Sequence, residues 1–340
     1  MPRKTAQKKK GRPARSRYSV ARRRAFGKAN GGLAGGLHAR KIKRGQKKNP
    51  PVFIKRLFII FVPFMLLLIV FVSVKTRLWD SRGKLTLVST QENGDVLVSV
   101  LDPSASKIIN IVVPAETEIE VANQFGIWKV KSIWKLGENE GVSGELLAHS
   151  ITKNFRFPIM GYLEKARILT GKIGPTSILE IFTLKSDLLI GDKVKILFFA
   201  IKLKDSQITN INLENSTYLK ETVSLDGEDG YVVRGNIPVE LSAIFVDQDV
   251  AESNLRVVII NATGGSRTSV MVGENIEVLG ARLVAFEKSP KSELDCEVVG
   301  VEKRIVEKVI SIFGCTKGEG ELGGAFDLEI RLGSAFVERF

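Results

Sequence analysis

Leu57–Val74 reads LFIIFVPFMLLLIVFVSV, eighteen residues without a charge. A run of that length meets the requirement for spanning the hydrocarbon core of a bilayer, and Val52–Ile54 add apolar length in front of it. Pro63 would disturb a soluble helix but is tolerated inside a membrane, where neighbouring groups satisfy the freed carbonyl. Lys55 and Arg56 precede the run, Lys75 and Arg77 follow it, and Trp79 stands where an interfacial aromatic would be expected. The exit, Lys75-Thr-Arg-Leu-Trp-Asp80, has no small-x-small cleavage pattern, and the region before the run is long. A signal anchor is therefore expected over 53–76, and not a cleaved signal peptide.

The charge distribution sets the direction. Residues 1–56 hold twenty Lys and Arg and no Asp or Glu, so the chain total of +14 leaves −6 for residues 57–340. Under the positive-inside rule the N-terminus is expected in the cytoplasm and the C-terminal bulk outside the cell membrane. Residues 1–52 show no apolar periodicity, and their composition suits a disordered basic tail. The tail's expected partners are anionic lipid headgroups or nucleic acid, unless the charge serves only to set topology. Tyr18 and Phe26 are its only aromatics, which argues against base-stacking recognition.

Beyond the apolar run the sequence predicts mixed α/β structure. Lys84–Thr90, the Asn93-Gly94 turn, Val96–Leu101 and Ile108–Val113 read as a meander of strands. Ile127–Leu136 fits helix and strand periods equally. Helices are expected over Gly144–Asn154, Leu163–Leu169, Thr176–Ser186 and Lys193–Leu203, followed by a strand at Ile208–Leu213. Further along, Leu255–Asn261, Arg282–Phe286, Cys296–Val301 and Leu328–Leu332 read as strands. Helices through Val270–Leu279 and Glu302–Phe313 stop at Gly280 and Gly314. This β-α-β-β-α-β order predicts a smaller C-terminal α/β domain over 255–340, separated by a linker at 241–254 from a larger α/β domain over 82–240.

Few residues here suit catalysis. His38 lies in the tail and His149 is expected on a helix surface, which argues against a histidine-centred site. Cys296 and Cys315 read either as lone core thiols or, should this region face an oxidising space, as a bridged pair. Glu116, Glu118 and Glu120 alternate and are expected on one solvated strand face.

The order of phrases resembles the exported domain of the LytR-CpsA-Psr family. A strand ending in Asp102-Pro103 is followed by one ending in Pro114, and a turn and helix lead to Phe155-Arg-Phe-Pro-Ile-Met-Gly-Tyr162. The later Val257-Val-Ile-Ile-Asn-Ala-Thr-Gly264, Ile276–Val284 and Ile330–Gly333 are similar to the LytR C-terminal domain. The resemblance implies a cell-envelope protein whose catalytic domain handles polyprenyl-pyrophosphate carriers with arginines, carboxylates and Mg2+. It also implies a pocket near Glu116, Thr117, Arg156 and Tyr162. The departures are pointed: where the family reads Pro-Arg-Asp-Thr, this chain reads Pro114-Ala-Glu-Thr117, and Arg167 and Lys172 look isolated. A site without its phosphate clamps is expected to be inactive, leaving binding or scaffolding at wall polymer or envelope proteins and no cofactor. A divergent glycopolymer transferase using Mg2+ and a membrane tether for nucleic acid are the alternatives.

Overall fold

The computed structural model describes residues 61–66, 78–224, 227–320 and 322–340. Lys55, Arg56, Lys75, Arg77, the basic tail and most of the expected membrane span lie outside these. Residues 61–66 are helical, with Phe61, Phe64 and Leu66 exposed. Among the described residues no helix is long and apolar enough to cross a membrane.

The first sheet forms where the sequence alternates least. Strands β1 (Leu85–Thr90), β2 (Val96–Asp102) and β3 (Lys107–Val113) make an antiparallel meander, with Leu85 opposite Leu101 and Val98 opposite Ile111. Every residue of β2 is buried because both faces of the sheet are covered, which is why the strand reads as a continuous apolar run. Gly94, at φ 89°, closes the first hairpin in a conformation that favours glycine. Two short parallel strands complete the sheet: β6 (Gly161–Tyr162) beside β1, and β7 (Ile208–Asn212) beside β3.

The ambiguous stretch at 127–136 turns out to hold both structures. Strand β5 (Gly126–Lys129) runs directly into helix α1 (Val130–Asn139). Helix α2 (Glu145–Phe155) then packs on α1 and on β4 (Thr117–Val121). A second sheet, ordered β5-β4-β9-β8, joins these strands to β8 (Leu219–Val223) and β9 (Asp229–Val233). The expected helix at 163–169 is absent. Leu163 donates its N–H to the Val88 carbonyl at 2.9 Å, holding the chain extended, and only a 3-10 turn forms at Arg167–Thr170 before Gly171 at φ 83°. Helices α3 (Pro175–Thr183) and α4 (Ile190–Lys202) follow.

The segment expected as a linker is structural. Residues 239–252 form α5 (Val239–Phe245) and α6 (Gln248–Glu252), which bury Leu241, Phe245 and Val250. Asp247, between them, is 1 % exposed; its side chain accepts from Lys84 N–H at 2.8 Å and pairs with Lys308. The C-terminal sheet runs β11-β10-β14-β12-β13, from β10 (Arg256–Asn261), β11 (Arg282–Lys288), β12 (Cys296–Gly300), β13 (Thr316–Lys317) and β14 (Leu328–Leu332). It carries α7 (Arg267–Val278), α8 (Lys303–Phe313) and α9 (Ser334–Arg339). Gly280 at φ 98° follows α7, and Gly314 at φ 64° ends α8.

One hydrophobic cluster runs from Leu85, Leu87 and Ile108 through Ile181 and Ile196 to Val257, Ile259 and Phe313. The regions 82–240 and 255–340 therefore share a core. A second cluster, beneath α1 and α2, covers the other face of β2 through Val96, Val98 and Val100.

Two expected surface residues are interior. His149 of α2 is buried, with its ring 5.1 Å from that of Phe340. Trp79 is 3 % exposed and meets Phe199 edge-on at 5.6 Å, so it is a core residue here and not an exposed interfacial aromatic. Its backbone N–H donates to Asp192 Oδ1 at 3.1 Å.

Candidate functional site

The four residues expected to share a pocket fall in three places: Glu116 with Thr117, Arg156, and Tyr162. Glu116 sits at the corner after β3, on a cleft of about 700 Å³ that also meets Glu214, Glu221 and Tyr231. Ala115 N–H donates to Asp95 Oδ1 at 2.9 Å and Thr117 N–H to the Pro114 carbonyl at 3.0 Å, which fixes the corner. The Glu116 carboxylate pairs with Lys131 and, at 2.9 Å, with Lys129. The Lys131 hydrogen bond, seconded by Lys129, holds its pKa below the ordinary glutamate value. Thr117, next in sequence, is fully buried and turned away into the core.

Arg156 caps the end of α2 in the left-handed region, at φ 57°. Its guanidinium pairs with Glu274 of α7 and donates to the Lys153 carbonyl. Arg156 and Glu274 line a cleft of about 290 Å³ between α2 and α7. Tyr162 lies on β6, its ring edge-on to Trp134 at 5.9 Å and its N–H donating to Asp187 Oδ1 at 2.8 Å. The guanidinium that would grip a phosphate is already held by a carboxylate. The Glu116 carboxylate that would hold Mg2+ is already held by two ammonium groups, and that arrangement does not fit a divalent cation.

The structure instead assembles a site that sequence reasoning missed. Lys165, Arg167 and Lys172 all line one cavity of about 390 Å³ at the Gln91–Asn93 end of the first sheet. Arg167 pairs with Glu92 and, at 3.2 Å, with Glu180. Lys165 and Lys172 make no ion pair among the described residues. Ser89 lines the same cavity at 1 % exposure, and its Oγ has no hydrogen-bond partner among them.

A buried polar relay holds the turn that carries Arg167 in place. Ser99 Oγ donates to Asn110 Oδ1 at 2.7 Å, and Asn110 Nδ2 donates to the Leu169 carbonyl and to Asn210 Oδ1, each at 3.0 Å. The Leu169 carbonyl belongs to the 3-10 turn that carries Arg167, so the relay pins the cationic loop to β3. Asn110 was the visible signal: a fully buried amide inside Ile108–Val113 needs partners. Cations around a partly enclosed cavity with a spare hydroxyl suit an anion rich in oxygens, such as a phosphate or phosphodiester.

Cys296, at the start of β12, and Cys315, just past α8, are joined as a disulfide with Cα atoms 4.7 Å apart. Among the described residues no cluster of three His, Cys, Asp or Glu is arranged to hold a metal ion.

Comparison with protein-family models and with curated proteins gives no match. Among solved structures, part of the fold is similar to Bacillus subtilis TagT, at 9 % identity over 46 % of this chain and 86 % of that one, with a TM-score of 0.33. Bacillus subtilis TagV matches at 6 % identity, covering 46 % and 92 % of the two chains, with a TM-score of 0.32. A further match is the LytR-CPS2A-psr family protein YwtF (TagT) with bound octaprenyl pyrophosphate lipid, at 10 % identity and a TM-score of 0.33, covering 46 % and 86 %. At this level the likeness assigns neither an activity nor a ligand to this chain.

Proposed function

We propose that this chain is a membrane-anchored cell-envelope protein that binds an anionic wall polymer or its polyprenyl-phosphate carrier without transferring it. The observation that carries the reading is the convergence of Lys165 and Lys172, neither in an ion pair among the described residues, on one cavity whose third cation, Arg167, is held by Glu92 and Glu180. Binding without transfer is favoured because Glu116 and Arg156 are each committed to an opposite charge. The eighteen-residue apolar run and its basic flank support the anchor and its direction. The Cys296–Cys315 disulfide supports placement of the C-terminal region in an oxidising, extracytoplasmic space. The ordered phrases that resemble the LytR-CpsA-Psr family supply the envelope context.

The test is binding of polyprenyl-pyrophosphate to the full chain in detergent, with and without Mg2+, alongside purified wall polymer. The reading expects binding to at least one of them that needs no metal and weakens as salt rises. Failure to bind either would sink it. Tight Mg2+-dependent binding with measurable transfer, lost on Glu116→Ala, would put a divergent transferase in its place.

A further inference from the structure

Helix α4 is apolar on two sides. Its inner side buries Ile196 and Ala200, while Ile190, Phe198 and Ile201 stand on its outer side. Asp192, Lys193, Lys195 and Lys202 also lie on α4, so it is not apolar all round, but its outer apolar residues are left exposed among the described residues. Phe198 is 59 % exposed, and α3, which packs on α4, adds Leu179 at 63 % and an exposed Phe182. Isolated exposed apolar residues are ordinary, but a helix pair displaying this many marks an interaction face.

The chain itself points to the occupant. Trp79 is tied to α4 three ways: its N–H donates to Asp192, its carbonyl accepts from Lys195 Nζ at 3.3 Å, and its ring packs on Phe199. Val74, the last residue of the apolar run, is five residues before Trp79. Five residues reach at most roughly 18 Å even fully extended. The start of α4, with its cap residue Leu189 and Ile190 both exposed, is therefore held within a short reach of any membrane that the run enters. Of the six lysines in residues 172–204, Lys172 lines the cationic cavity, Lys185 pairs with Glu138 at 2.8 Å, Lys193 is buried and Lys195 holds the Trp79 carbonyl, so Lys202 and Lys204 are the exposed cations at the end of α4. Apolar side chains interspersed with lysines suit the boundary between acyl chains and anionic headgroups.

We infer that α3 and α4 form a docking face that rests in the surface of an anionic lipid bilayer, fixing the orientation of the folded region against the membrane. This rests on the reading of 53–76 as an anchor. The test uses the full chain in vesicles of phosphatidylcholine and phosphatidylglycerol. Because both native cysteines are bridged, one introduced cysteine can carry an environment-sensitive fluorophore, at Phe198→Cys or, as a control, at Val301→Cys, which is 80 % exposed and lies before α8. The expected result is at least a two-fold quenching of the 198 label by shallow doxyl lipids, with the 301 label quenched only by aqueous iodide. Alkaline carbonate extraction separately reports the anchor. A chain that resists extraction while its 198 label stays open to iodide overturns the docking face and leaves the anchor standing. Quenching by lipid in a chain that carbonate removes keeps the docking face and sinks the anchor. A 198 label shielded from both quenchers would mean that protein, a second copy or a partner, covers the face, and the inference fails.

Discussion

The imidazole of His149 lies against the ring of Phe340, centroids 5.1 Å apart and planes tilted by 43°, locking α2 to the end of the C-terminal region. Burial, with Arg339 adding repulsion, lowers the His149 pKa to about 3. Glu145 is 4.0 Å away and its side chain is about half exposed, too screened to hold a charged imidazole. Because the folded pKa is depressed, the unfolded chain takes up a proton near pH 6.5 that the folded chain refuses, so stability is lost as pH falls below that value. The carboxylates with lowered pKa values, Glu116 among them, add their own loss only from about pH 4.5 downwards. The window between 6.5 and 4.5 thus belongs to His149. Denaturant midpoints should fall across it, by an amount equivalent to roughly 2 kcal/mol, and His149→Leu should flatten the dependence.

Asp247 should be among the costliest single positions. It is 1 % exposed, caps α6, accepts from the Lys84 backbone and pairs with Lys308. Asp247→Ala leaves a mostly buried ammonium without its partner, at a cost of about 3–5 kcal/mol. Asp247→Asn, which keeps an acceptor oxygen for the cap, should cost less. Urea unfolding of the two variants checks the order.

The disulfide spans 19 positions. Closing a loop of that length restricts the unfolded chain by about 3 kcal/mol on the chain-entropy account. Reduction, or the double substitution Cys296→Ser with Cys315→Ser, should lower the melting temperature. An unchanged melting temperature in reductant would mean that the pair contributes nothing.

Lys172 lines the cationic cavity with no ion-pair partner among the described residues, which leaves its charge available to a ligand. Lys172→Glu should weaken binding of a polyprenyl-phosphate or wall polymer about ten-fold or more while leaving the urea midpoint within about 0.5 kcal/mol. Equal affinity of the variant and the parent chain would remove the cavity from the proposed site.

Short-range patterns were legible wherever the deciding partners are close in sequence. Asn93-Gly94 specifies its hairpin because both strands flank it directly. The stripe of Ile305, Val306, Val309 and Phe313 specifies α8, and Gly314 its end, because the helical period brings those side chains together. The strands expected at 255–261, 296–301 and 328–332 were readable for the same reason, as were the length and charge asymmetry of the apolar run. What only the tertiary structure decided involves partners far apart in the chain. Pairing of β4 with β9 sets Thr117 beside Tyr231. His149 is interior because residues 339 and 340 close over it, and 241–254 is core because Asp247 receives Lys84 and Lys308. Arg167 and Lys172 look isolated until Asn110 draws their loop onto β3. Propensity and periodicity act within a few residues, whereas the burial of a histidine or the gathering of three cations depends on which distant segments the shared core brings into contact.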